Sequence, residues 1–137
     1  LRPWPELQVW FSFSCRDEQH VSHRERVRDC AALVAAFPQT AAVGVNCVAP
    51  KWVPPLIAEL RAGSSKPVLV YPNSGDGWDA EHRCWTGNTD PAELGARAAE
   101  WFRAGAQMVG GCCRMGPEHI REVARTAANY AWSKSPP

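Results

Sequence analysis

Ala41-Ala42-Val43-Gly44-Val45-Asn46-Cys47 and Pro67-Val68-Leu69-Val70-Tyr71 decide the fold. Each is a short, nearly unbroken apolar run that ends at polar or reactive residues. An apolar run without alternation is the pattern of a strand covered on both faces, which is where parallel strands sit. Between the two runs, residues 51–62 put Leu56, Ile57 and Leu60 on one helical stripe. Pro54 and Pro55 fit only the first turn of such a helix, and Gly63 is expected as its stop. Two strands joined through a helix pair in parallel, because a tight hairpin cannot connect them.

The same alternation continues in both directions. Upstream, Gln8-Val9-Trp10-Phe11-Ser12-Phe13-Ser14-Cys15 reads as a strand. A helix over residues 23–37 follows, with Val27, Cys30, Ala31, Val34 and Ala35 on its stripe and Pro38 closing it. Downstream, residues 72–89 read as a long loop holding Trp78, Cys84 and Trp85, and loops of this length usually serve function. Asp90-Pro91-Ala92-Glu93 then supplies an N-cap, Pro at the first helical position and Glu at the third. Leu94, Ala98, Trp101 and Phe102 form the stripe of that helix, and Gly105 ends it. Residues 106–113 read as a fourth strand running into its loop, and Gly116-Pro117-Glu118 opens a last helix with Ile120, Val123, Ala124 and Ala127 inward. The tail, residues 133–137, is expected to fray. The result is an α/β domain of parallel βα units across residues 1–137. Two geometries fit four such units: half of an eight-unit barrel, or a flavodoxin-like sheet. No glycine-rich nucleotide fingerprint and no Walker A motif follows any strand.

Composition narrows the function. The chain has 137 residues, with 15 Lys plus Arg against 14 Asp plus Glu, a net charge of +1. Apolar residues make up 45% and charged residues 21%, which are globular values and exclude a long disordered chain. With no basic excess, binding to nucleic acid through bulk charge is excluded. No apolar run approaches the roughly 20 residues of a membrane span, so no membrane partner is expected. Leu1-Arg2-Pro3-Trp4-Pro5 has no basic stretch ahead of an apolar one, so no secretory signal is expected. Six cysteines at irregular spacing do not suggest a disulfide framework, and the expected setting is a reducing, cytoplasmic one.

Chemistry in a parallel α/β fold gathers at the carboxyl ends of the strands. Those ends read Ser14-Cys15, Asn46-Cys47, Tyr71-Pro72-Asn73 and Cys112-Cys113. Cys47 and the Cys112-Cys113 pair can therefore converge on one ion across 65 residues of chain. Zinc suits such a set, being tetrahedral and thiolate-seeking, and three protein ligands leave one position open, as catalytic sites do. Gly110 and Gly111 would let adjacent cysteines turn onto one metal. Plain packing is the competing reading, and it is preferred for Cys30, Cys15 and Cys84. A vicinal redox pair at Cys112-Cys113 is a further alternative. His20, His23, His82 and His119 read as exposed side chains. Trp78 and Trp85 read either as a substrate lid or as packing.

Three motifs, Val43-Gly44-Val45-Asn46-Cys47, Val70-Tyr71-Pro72-Asn73-Ser74-Gly75 and Gly110-Gly111-Cys112-Cys113-Arg114 with Pro117 and Ile120 behind it, resemble the homocysteine S-methyltransferases. The branch resembled is the one using S-methylmethionine or S-adenosylmethionine, and the likeness runs from Trp10 to the last helix. It implies a zinc-dependent TIM (βα)8 barrel about twice this length, of which this chain is the C-terminal half. By the same resemblance, Cys47, Cys112 and Cys113 are the zinc thiolates and Asn73 offers the oxygen that fills the fourth position until homocysteine displaces it. Gly110, Gly111 and Arg114 shape the metal loop. Met115-Gly116 stands where the family often has Thr-Thr. The family's first four units have no counterpart here, so a partner half-barrel or self-association is expected and the chain alone is expected to be inactive. The activity implied is methyl transfer from a sulfonium to the homocysteine thiol, giving methionine, with no catalytic group beyond the metal. Trp10, Tyr71, Trp78 and Trp85 are the aromatic candidates for holding the cationic donor. An inactive metal-binding or interaction module built on the same cysteines is the competing reading.

Overall fold

A computed structural model describes residues 3–87 and 89–130. The tail expected to fray lies outside them. The elements in chain order are β1 (Val9–Phe13), α1 (Val27–Ala35), β2 (Thr40–Asn46), a 3-10 turn (Pro50–Trp52), α2 (Val53–Gly63) and β3 (Val68–Tyr71). There follow β4 (Gly77–Asp79), β5 (Cys84–Thr86), α3 (Pro91–Ala104), β6 (Met108–Val109) and α4 (Pro117–Asn129). The main sheet has the order β1-β2-β3-β6, and every pairing in it is parallel. The strand order never reverses, whereas a flavodoxin-like sheet reverses it once. Crossovers of one hand without a reversal place all helices on one side. The contacts agree: α1 packs on α2, α2 on α3 and α3 on α4. This is the wall of a (βα)8 barrel, and the doubly wound alternative is excluded.

The core lies between that wall and its helices. Val43, Val45, Val68 and Val70 of the central strands are fully buried, as are Leu56, Ile57 and Leu60 of α2 and Leu94, Ala98 and Trp101 of α3. The near-continuous apolar run of β2 is thus explained by cover on both faces from Ala42 to Val45, whereas β3 alternates, with Val68 and Val70 buried and Leu69 and Tyr71 half-buried. Ile120, expected inward, is 43% exposed. It sits with Met108 and Val123 along a groove at the open edge of β6.

Three expectations change at the element level. The 72–89 loop contains an antiparallel hairpin, β4–β5, with Trp78 facing Trp85 in register. Within the expected strand-and-loop segment 106–113 the strand itself is only Met108–Val109, because the chain turns away after Gly110 to form the loop described below. Gly63 is the last helical residue, with Ser64 as the C-cap. A Cβ on Gly63 would strike the carbonyl of Arg28, so its role is close approach of α1 to α2. The Asp90 cap on α3 forms as read, its carboxylate accepting the Ala92 N–H at 2.9 Å, and Gly105 ends the helix at φ 113°. Glu93 turns instead to Arg97, one helical turn on, at 2.6 Å.

Candidate metal centre

Register brings the strand ends together. Asn46 stands opposite Tyr71, and Val70 opposite Val109, so Cys47, Pro72 and Gly110 emerge side by side at one rim. Backbone hydrogen bonds then stitch the three loops. Cys47 N–H donates to Tyr71 O at 3.2 Å, Asn73 N–H to Val48 O at 3.0 Å, Cys112 N–H to Pro72 O at 2.9 Å and Ser74 N–H to Cys113 O at 3.1 Å. The Asn73 side-chain oxygen accepts the Cys113 N–H at 3.3 Å. Asn46 ties in β1, accepting from the Ser12 hydroxyl at 2.8 Å.

The Sγ atoms of Cys47, Cys112 and Cys113 all lie within 4.8 Å of one another. Two of them, on Cys112 and Cys113, are 3.9 Å apart. Two thiolates on a tetrahedral zinc with Zn–S bonds of about 2.3 Å sit about 3.8 Å apart, so this spacing fits the ion. The Cys47 and Cys112 sulfurs are in direct contact, with their Cα atoms 5.7 Å apart. All three sulfurs can hold a metal together only as thiolates, so binding belongs to the reduced protein.

The backbone here is unusual. Cys47 has φ 52° and Arg114 has φ 66°, both in the left-handed region that non-glycine residues rarely occupy. Such outliers concentrate at binding and catalytic sites. The glycines were expected to supply this freedom, yet neither Gly110 nor Gly111 has positive φ. Gly111 serves instead to leave room, because a Cβ there would collide with the Met115 side chain. Tyr71 ends β3, half-buried, beside the Cys47 backbone.

The remaining candidates divide by position. Trp78 and Trp85 meet edge to face with ring centroids 5.2 Å apart, and both are exposed. The Arg114 guanidinium lies 6.0 Å from the Trp85 ring, which joins the hairpin to the metal loop. Trp10 lies near the amino end of β1, three residues below the rim, and so is not grouped with the other aromatics. Cys15 is not in the cluster. Its thiol donates to Phe13 O at 3.7 Å, and burial first, then Asp17 and Cys30, push its pKa up to about 12. Cys30 packs against the core and its thiol is also raised by burial, while Cys84 is exposed on the hairpin. His23 and His82 are exposed as expected. His20 and His119 are half-buried, and His119 accepts the Gly116 N–H at 3.1 Å at the start of α4. Sequence reading missed Asp76, whose side chain is 4% exposed and hydrogen-bonded to Thr89 and Arg114. Nothing marks one Asp in a Gly-rich loop before its partners are known.

The sequence profile of the homocysteine S-methyltransferases matches residues 2–127. Homocysteine S-methyltransferase YbgG of Bacillus subtilis is 42% identical over 135 residues, covering 98% of this chain and 41% of that protein. Two solved structures of the homocysteine methyltransferase MmuM from Escherichia coli superpose closely. The oxidised form gives a TM-score of 0.75 at 34% identity, and the metallated form 0.74 at 35%. Each alignment covers 91% of this chain and 38% of the MmuM chain. This chain therefore spans about two fifths of the length of the proteins it matches. With its parallel wall, its rim of cysteines and a profile match over nearly all its length, the chain belongs to the homocysteine S-methyltransferase family.

Proposed function

We propose that this chain carries the metal-binding side of a homocysteine S-methyltransferase active site. Cys47, Cys112 and Cys113 hold a zinc ion, and the thiol of L-homocysteine takes a methyl group from S-methylmethionine or S-adenosylmethionine to give methionine. The observation that carries this reading is the convergence of three cysteine sulfurs at one barrel rim. A zinc ion there supplies Lewis acidity that keeps a coordinating thiol deprotonated at neutral pH.

The chain's own residues do the rest. Three thiolates around a divalent ion sum to −1, which favours approach of a cationic sulfonium. Loss of the thiol proton to solvent leaves a homocysteine sulfur with the electron pair that forms the new S–CH3 bond. The bond from the methyl carbon to the donor sulfonium breaks, and its electrons leave a neutral thioether. No side-chain general base is needed. Asn73, Tyr71, Gly110 and Gly111 border the position the substrate occupies. Trp85 and Trp78 offer aromatic faces to the sulfonium, contacts worth about 0.5–2 kcal/mol each. All three cysteines act as thiolates, which a reducing, cytoplasmic setting would maintain.

The further βα units of the longer relatives are the expected neighbours of the open β1 and β6 edges. The test is a chimera in which residues 1–137 follow the N-terminal portion of the E. coli relative, reduced and loaded with zinc. Methionine should form from homocysteine and a sulfonium donor, Cys113→Ser should abolish it, and residues 1–137 alone should form none. A folded, metal-loaded chimera that methylates no homocysteine with either donor contradicts the proposal.

A further inference from the structure

We propose that Asp76 is a positioning residue of the metal centre, fixing the Cys112-Cys113-Arg114 backbone in the shape that accepts the ion. This rests on the reading above that the three cysteines bind metal. The Asp76 carboxylate is almost wholly buried, at 4% exposure, although it lies in a loop. Oδ1 accepts both the backbone N–H of Thr89, at 3.1 Å, and the Thr89 hydroxyl, at 2.9 Å. Oδ2 accepts Nε–H of Arg114 at 3.3 Å. Asp76 thus closes the base of the β4–β5 hairpin with one oxygen and grips the residue after Cys113 with the other.

The grip falls where the backbone needs holding. Arg114 has φ 66°, a conformation that persists only when its surroundings impose it. Its guanidinium lies between Asp76 and the Trp85 ring. From Thr89 the network continues, since the Thr89 carbonyl accepts from His119 Nε2 at 3.3 Å while His119 Nδ1 accepts the Gly116 N–H at 3.1 Å. The turn from Cys112 to Gly116 is therefore pinned from both ends through Asp76, Thr89 and His119. Groups that orient metal ligands without touching the metal commonly change its affinity by roughly 10–100-fold when altered.

Asp76→Asn keeps the shape but replaces one acceptor oxygen with a donor, which must then face Thr89 or Arg114 donors. Zinc affinity of the reduced protein, measured by competition with a chromophoric chelator, should fall roughly 10–100-fold. The thiolate-to-metal charge-transfer band of the Co2+ form should shift, and Asp76→Glu should recover part of both. Arg114→Gln, at a side chain that is 41% exposed, should reproduce the loss and carries the test if Asp76→Asn does not fold. A hairpin staple alone would lower the melting temperature and leave affinity and spectrum unchanged. Wild-type affinity and spectrum in folded Asp76→Asn and Arg114→Gln overturn the assignment of Asp76 only. A reduced wild-type protein that binds no zinc overturns the metal-centre reading with it.

Discussion

Cys15 and Cys47 show how little a residue's type says before its neighbours are placed. Both follow a strand, yet Cys47 turns into the rim at φ 52° while Cys15 is drawn back by a bridge to Val21. With its pKa pushed up to about 12, Cys15 at pH 8 holds on the order of a thousandfold less thiolate than a thiol at the ordinary 9.0. Iodoacetamide followed by mass spectrometry should label exposed Cys84 early and Cys15 last, and equal labelling would contradict this environment. The sign for stability follows. A thiol raised by folding contributes stability below pH 9 that is lost as pH climbs toward 12. The convergence of Cys47 with Cys112-Cys113 was legible because parallel strands end at one rim. Asp76 was not, since its importance lies in partners 13 and 38 residues away.

At the scale of elements, strands and helices were readable where burial imposes a pattern. β2 is covered on both faces from Ala42 to Val45 and β3 buries alternate residues, and both fall within one residue of their expected limits. The β4–β5 hairpin lacked that signal because Trp78, Cys84 and Trp85 all remain exposed, and no apolar face patterns it. The boundary between β6 and its loop was not legible, because Gly110 still donates to Val70 O of β3 while Cys112 and Cys113 bond to Pro72, Asn73 and Ser74 instead. Helix α2 is locked to α1 by Glu59, which accepts from Arg28 Nε at 2.9 Å and Arg26 Nη2 at 3.3 Å. The Arg28 hydrogen bond, ahead of the charges of both arginines, holds the Glu59 carboxyl below its ordinary pKa of 4.5. A depressed carboxylate stabilises above its unfolded pKa and loses that contribution as pH falls through its folded value. Glu59→Gln should therefore melt earlier than wild type at pH 7, and the gap should close as pH drops below about 4.5. A gap that does not narrow at all as pH falls below about 4.5 would assign the loss to packing.

At the largest scale, the described residues form a wall with two open edges, β1 and β6. Trp10, Leu33 and Phe37 are exposed on or beside the β1 unit, at 63%, 68% and 51%, and Met108 and Ile120 flank β6. Exposed apolar surface at unpaired strands is what further barrel strands would cover. The three-cysteine cluster, by contrast, is assembled wholly from the loops that follow β2 and β6, so its sulfurs meet within the described residues. The direct measurement is Co2+ titration of the reduced protein, following the thiolate charge-transfer band. One ion per chain should bind. Cys47→Ser and Cys113→Ser should each abolish tight binding, while Cys15→Ser, Cys30→Ser and Cys84→Ser should leave it intact. Wild-type affinity and spectrum in Cys47→Ser would contradict a centre built from all three sulfurs.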